Sequence, residues 1–273
     1  MKRILTAIVA LPILLYTVWS PFPYFFVAVA AIAAVLALNE FYGLASNAGC
    51  RPFAVIGQVG ALSVIACFVL QQQQWVVAVF AALVIALLGA GLTRPQQMAS
   101  SLVSASSTLF GVVYVGLLAA FLVGVRMIGD APVSAHIASK LLTLFFAIVM
   151  MTDTGAYYTG RAIGRHKLAP RVSPGKTIEG AAGGLVAALA AGPLCRLLFF
   201  PELPLVESVL LGALVSTLGQ VGDLVESMLK RGSGVKDSSN LLPGHGGMLD
   251  RLDSILVAAP AIYYYSRYFI SSH

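Results

Sequence analysis

Within 27 residues, from Ser227 to Asp253, the chain sets Lys230, Arg231, Lys236, Asp237, His245, Gly246, Gly247, Asp250, Arg251 and Asp253 between two apolar segments. A chain that is 59% hydrophobic and 10% charged does not need that density for solubility, so the block reads as a site. Asp223, Glu226 and Lys230 recur at spacings of three and four and share one helical face. A charge at the bilayer centre costs about 2.5 to 3.5 kcal/mol on insertion scales, so Asp223, a turn or two inside the membrane, requires a metal ion or a basic residue as partner. Asp250 and Asp253, also three apart, begin the next helix, whose amino-terminal dipole favours negative charge; the pair is either a cap or a ligand set. A hairpin of helices can bring Asp223 and Asp250 to one point, and few carboxylates completed by waters and phosphates are what Mg²⁺ uses. Lys230, Arg231, Lys236 and Arg251, beside the bare amides of Gly246 and Gly247, then suit a Mg²⁺-bound polyphosphate. A merely basic loop with turn residues would explain the lysines but not His245 or the acids.

A second cationic stretch holds Arg161, Arg165, His166, Lys167, Arg171 and the run Ser173-Pro174-Gly175-Lys176-Thr177. The run ends like a nucleotide-binding P-loop, yet Pro170 stands where the first glycine belongs and no soluble strand is expected before it, which excludes that motif. Lys176 and Thr177 lead into a helix and can bind phosphate at its start. Asp153, among Thr152, Thr154, Tyr157 and Tyr158, is either a further site acid or a buried hydrogen-bonded residue.

These residues must be positioned by membrane helices. A mean hydropathy of +0.89 and long stretches nearly free of charge predict an all-α integral membrane protein. About nine transmembrane helices are expected, near 4–19, 22–46, 53–70, 75–92, 107–128, 140–161, 178–200, 206–229 and 252–270. The first is read as a retained span and not as a cleaved leader. Thirteen of the 17 Lys and Arg fall at the amino end or in even-numbered loops, which predicts a cytoplasmic amino terminus, an external carboxyl terminus and an active site on the cytoplasmic side. That bias, with attraction to anionic lipid, accounts for the net charge of +6 without a nucleic-acid partner. Cys50, Cys67 and Cys195 are odd in number and scattered, suggesting neither disulfides nor a zinc site.

Before position 150 the only acids are Glu40 and Asp130. The expectation is therefore an amino-terminal scaffold, residues 1–130, and a catalytic region, residues 131–273, with cytoplasmic loops 161–177 and 230–251, all forming one membrane unit. Gly180, Ala181, Ala182, Gly183 and Gly184 predict a helix that approaches a neighbour closely.

The pattern Ser227-x-x-Lys230-Arg231, Lys236-Asp237, His245-Gly246-Gly247-x-x-Asp250-Arg251-x-Asp253 resembles the signature of the phosphatidate cytidylyltransferases, also called CDP-diacylglycerol synthases. Asp153-x-x-Ala156-Tyr157 and Ser173-Pro174-Gly175-Lys176-Thr177-x-Glu179-Gly180 are similar to that family's loop motif, so the resemblance covers about residues 150–253. It implies transfer of the cytidylyl group of CTP to phosphatidate in phospholipid biosynthesis, with Mg²⁺ required and a monovalent cation such as K⁺ assisting. It further implies Asp223 and Asp250 as metal carboxylates and catalytic residues together with Lys230 and Arg231. Ser173, Lys176, Thr177, Lys236, Asp237, His245, Gly246, Gly247, Arg251 and Asp253 are implied as substrate-binding. A homodimer among membrane lipids, in the bacterial inner membrane, is also implied. The rival reading is an ion-coupled secondary transporter, which intramembrane acids also suit; against it, the charges crowd one surface and no repeated halves are visible.

Overall fold

The computed structural model describes residues 2–93, 98–129, 136–239 and 246–272. Ten α-helices account for most of them: α1 (Lys2–Trp19), α2 (Tyr24–Asn47), α3 (Ala54–Val69), α4 (Val76–Leu92), α5 (Met98–Gly111), α6 (Leu118–Arg126), α7 (Ile137–Ile163), α8 (Ile178–Leu198), α9 (Leu205–Gly232) and α10 (Leu249–Ser272). A π-helical segment, Val112–Leu117, joins α5 to α6 without a break. Helix is the form that satisfies every backbone group within its own segment, as a hydrocarbon solvent demands.

The chain is a multi-pass, all-α membrane protein. Among the described residues six segments are long and apolar enough to cross a bilayer: Tyr24–Asn47, Gln73–Leu92, Ser100–Arg126, Ile137–Ile163, Ile178–Leu198 and Leu205–Gly232, with Ala54–Val69 a shorter apolar helix. Helix α4 buries only Leu83 and Leu87 and turns Val77, Ile85, Leu88 and Leu92 outward, an apolar exterior suited to lipid.

Two expectations are corrected. The fifth helical run begins at Met98, not near 107, and within it Ser107 and Thr108 donate their hydroxyls to the Ser104 carbonyl, at 2.9 and 2.7 Å. The loop after α7, where no strand was expected before Gly175-Lys176-Thr177, holds one. It forms a two-stranded antiparallel hairpin, β1 (Lys167–Ala169) and β2 (Ser173–Thr177), with Lys167 opposite Thr177 and Ala169 opposite Ser173.

The helices belong to two compact units. The first comprises residues 1–127 with 229–252, the second residues 128–228 with 253–273. In the first, Leu38, Val64, Val112, Val115, Ala120 and Val123 are fully buried. Polar groups of α5 stitch this core: Thr108 Oγ1 accepts the N–H of Phe53, which precedes α3, at 2.9 Å, and the Tyr42 hydroxyl donates to the Thr108 carbonyl at 3.0 Å. The buried Arg126 donates to the Ser20 carbonyl at 2.5 Å.

In the second unit α7 and α8 are in backbone contact. A side chain at Gly180 would stand 2.9 Å from the Ala156 carbonyl oxygen, and one at Gly184 would stand 2.8 Å from that of Thr152, so the small-residue face permits the approach its composition predicted. Lys140 pairs with Glu202 at 2.8 Å, and the Tyr265 hydroxyl donates to Glu207 at 2.5 Å.

Candidate active site

In the first unit, the end of α9, the segment after it and the start of α10 form one hydrogen-bonded cluster. Lys230 and Arg231 extend α9 by a turn, to Gly232, where basic residues suit the negative end of the helix dipole; they are helical and not part of a loop. Lys230 Nζ lies 2.5 Å from Asp250 Oδ1, and both side chains are largely shielded from water. The other Asp250 oxygen receives the Gly247 N–H at 2.7 Å, the Ser238 hydroxyl at 2.8 Å and the Ser238 N–H at 3.2 Å. Asp250, in the first turn of α10, thus reaches back to the amide three residues earlier, a capping contact, as one of its two alternative readings predicted.

The two glycines are required by this arrangement. Gly246 has φ +79°, a left-handed conformation that favours glycine, and its missing Cβ leaves room for Asp250 Oδ2. At Gly247 a Cβ would collide with the Ser238 hydroxyl and with the carboxylate of Glu40.

Glu40 was not among the expected site residues. It is buried on α2, yet its carboxylate accepts the Ser239 hydroxyl at 2.6 Å, the Leu249 N–H at 2.8 Å, and the Ser238 hydroxyl and Met248 N–H, both at 2.9 Å. The one usable signal was a lone acid in a long apolar helix, which a membrane protein retains only with partners.

In the second unit, Lys176 Nζ stands 2.6 Å from Asp223 Oδ2. The requirement for a partner to Asp223 is met by a base. The charged groups acting on Asp253 are Asp223 and Asp153 as like charges and Lys176 as the opposite one, so three acids and this lysine share a neighbourhood. Asp253 also accepts the Ser254 N–H at 2.5 Å. Gly222 brings α9 so close to α10 that a Cβ there would strike the Asp253 carbonyl.

Thr177 ends β2 and caps α8, its hydroxyl oxygen accepting the Gly180 N–H at 3.1 Å. Gly175-Lys176-Thr177 is accordingly strand and cap, with no phosphate-loop geometry. Glu179 folds back on the same hairpin and accepts the Arg165 N–H at 3.0 Å and the His166 ring nitrogen at 2.5 Å.

Of the remaining expected residues, Ser173 opens β2, Lys236, Asp237 and Arg251 are exposed, and Arg231 donates to the Val235 carbonyl at 3.2 Å. His245 lies outside the described residues. Asp223 belongs to the second unit and Asp250 to the first. Among the described residues no three His, Cys, Asp or Glu are gathered so as to hold a metal ion. The donor sets differ in their fit to a cation. Asp223, about a third exposed and close enough to Asp253 to act on it, offers the negative charge and water access that a hard divalent ion uses. Asp250 already pairs with Lys230, accepts the Gly247 and Ser238 N–H groups and shares the Ser238 hydroxyl with Glu40, so an ion there competes with Lys230.

Two lysine–carboxylate pairs, Lys176 with Asp223 and Lys230 with Asp250, thus stand on an all-α membrane scaffold. The chain belongs to the cytidylyltransferase family, whose match extends over residues 1–269. It is similar to proteins named phosphatidate cytidylyltransferase: one from Bacillus subtilis strain 168, 48% identical over 126 residues (45% of this chain, 47% of the relative), and one from Haemophilus influenzae Rd, 47% identical over 131 residues (46% and 45%). A third, from Staphylococcus aureus strain COL, is 43% identical over 164 residues (59% of each). The chain thus matches about half the length of these curated relatives.

Proposed function

We propose that this protein transfers the cytidylyl group of CTP to phosphatidate, giving CDP-diacylglycerol and pyrophosphate, a step of phospholipid biosynthesis. The observation that carries the reading is the family match along nearly the whole chain, joined by relatives of that name. The comparisons give no support to an ion-coupled transporter.

In this reaction an oxygen of the lipid phosphate attacks the α-phosphorus of CTP, and the bond from that phosphorus to the bridging oxygen of the β-phosphate breaks, releasing pyrophosphate. The attacking oxygen is already anionic at neutral pH, so no strong base is needed, and catalysis is positioning plus charge stabilisation. Lys230 and Arg231, with Lys236 and Arg251, hold phosphate groups from one motif; Lys176, with Ser173 and Thr177, holds them from the other. Asp237, His245, Gly246, Gly247 and Asp253 complete the substrate-binding set. Each lysine is held ready by a carboxylate, Lys176 by Asp223 and Lys230 by Asp250, and exchanges that partner for substrate phosphate. Asp223 and Asp250 are the proposed metal carboxylates; they would hold Mg²⁺, which, with a monovalent cation such as K⁺ assisting, would supply positive charge to the phosphates.

The proposed setting is the bacterial inner membrane, crossed nine times, with the amino terminus and the site cytoplasmic, the carboxyl terminus outside and a homodimer as the working form. A soluble nucleotide and a lipid phosphate meet only at such an interface. The test is incubation of the detergent-purified protein with phosphatidate, labelled CTP and Mg²⁺, with and without chelator. Label entering the lipid phase with equimolar pyrophosphate, both lost on chelation, is the expected result; neither signal from folded protein refutes the proposal.

A further inference from the structure

We infer that Glu40 is a positioning residue for the signature segment: from α2 it holds Ser238, Ser239 and the first turn of α10, and through Ser238 it sets the carboxylate of Asp250. The inference rests on the proposed transferase reading. Four donor groups surround the Glu40 carboxylate in a paired fashion, one of them, the Ser238 hydroxyl, shared with Asp250. Oε1 takes the Ser239 hydroxyl and the Met248 N–H, and Oε2 takes the Ser238 hydroxyl and the Leu249 N–H. Each oxygen therefore faces one backbone donor, and only a group with two acceptor oxygens satisfies both. The two N–H groups belong to the turn that opens α10, where helices lack internal partners and a negative charge is favoured.

The link to Asp250 is the Ser238 side chain. Its oxygen lies 2.9 Å from Glu40 Oε2 and 2.8 Å from Asp250 Oδ2. A hydroxyl has one hydrogen, so it donates to one carboxylate at a time and stands between the two, while the Ser238 N–H continues to donate to Asp250. Gly247 completes the seat, because any side chain there would displace Glu40. The carboxylate that pairs with Lys230 is thus placed by a residue some 200 positions earlier in the chain. Helix α2 takes part in the site as well as in the scaffold.

The variants that test this are Glu40→Gln and Glu40→Asp. Glutamine keeps the size but turns an NH₂ toward a backbone donor; aspartate keeps both oxygens and retreats by one carbon–carbon bond, about 1.5 Å. The first readout is amide hydrogen exchange over residues 246–250. Glu40→Gln is expected to speed exchange at Met248 and Leu249 at least tenfold while the middle of α2 keeps wild-type protection. The second is steady-state transfer per folded molecule. Glu40→Gln is expected to lower kcat by about ten- to a hundredfold, in the manner of other residues that orient a site carboxylate, with the KM for phosphatidate within about twofold and partial recovery in Glu40→Asp. A purely structural role would lower the amount of folded protein without that split or that recovery. Wild-type exchange at Met248 and Leu249 in Glu40→Gln, or wild-type kcat, overturns the inference. If Glu40→Gln does not fold, Ser239→Ala removes a single donor, and unchanged exchange and kcat in that variant overturn it equally. Absence of transfer by the wild-type protein refutes the reaction, while the exchange measurement still decides the role of Glu40.

Discussion

Replacing Gly247 by alanine tests the packing of the signature segment directly. A Cβ built at Gly247 stands 2.7 Å from Glu40 Cδ and closer still to Glu40 Oε2 and Ser238 Oγ, whereas carbon atoms rest at about 3.5–4.0 Å. The carboxylate must therefore move by about 1 Å, enough to lengthen its bonds to the Leu249 N–H and Ser238 hydroxyl beyond useful range. Overpacking of this kind costs about 1–3 kcal/mol, which for chains of comparable size lowers the melting midpoint by about 2–4 °C per kcal/mol. Gly43, on the same helix as Glu40, has nothing within 4 Å of its would-be Cβ and is the matched control; Gly43→Ala should be neutral or stabilising by up to about 1 kcal/mol. Thermal unfolding in one mild detergent, followed by cytidylyl transfer from the folded fraction, reads both. Gly247→Ala with the wild-type midpoint and wild-type kcat would refute the argument that this glycine exists to admit Glu40.

Asp223→Asn and Asp250→Asn should each abolish turnover in protein that elutes as folded, and wild-type rates from either at limiting Mg²⁺ would remove it from the proposed metal carboxylates. Lys176→Met deletes a charged contact to phosphate worth about 1.5–3 kcal/mol and should lower kcat/KM for CTP by about ten- to a hundredfold; an unchanged kcat/KM would leave Lys176 only its pairing with Asp223. Thr177→Ala should destabilise by about 1 kcal/mol through loss of the cap on α8, seen as a lower melting midpoint, and an unchanged midpoint would mean the Gly180 N–H finds another acceptor.

The helices were legible because apolar runs of about 20 residues in a chain this poor in charge have few other solutions. The signature block was legible for the same reason, since Lys230, Asp250 and Asp253 stand out against such a background. What escaped was long-range or local in ways that periodicity does not encode. The role of Glu40 depends on donors 198 to 209 positions away, which no window along the sequence can join to it. The hairpin of Lys167–Ala169 with Ser173–Thr177 was hidden by Pro170, Pro174 and Gly175, turn formers that suggest irregular loop. The extra turns at the start of α5 were masked by the polar run of Ser100, Ser101, Ser104, Ser106 and Ser107, which breaks the apolar pattern by which a membrane helix is read. Spacing predicted that Asp223 needs a partner; that the partner is Lys176 follows only from the folded second unit.

The order in which the chain is synthesised gives the Glu40 carboxylate a further meaning. It is made early, within an apolar helix, and every donor that satisfies it, from Ser238 to Leu249, is made nearly 200 residues later. During biosynthesis α2 must therefore hold a carboxylate whose native partners do not yet exist, so the final seating of this early helix waits on the last part of the chain. A polypeptide halted before Ser238 retains most of its apolar helices but has none of the groups that make Glu40 tolerable in them.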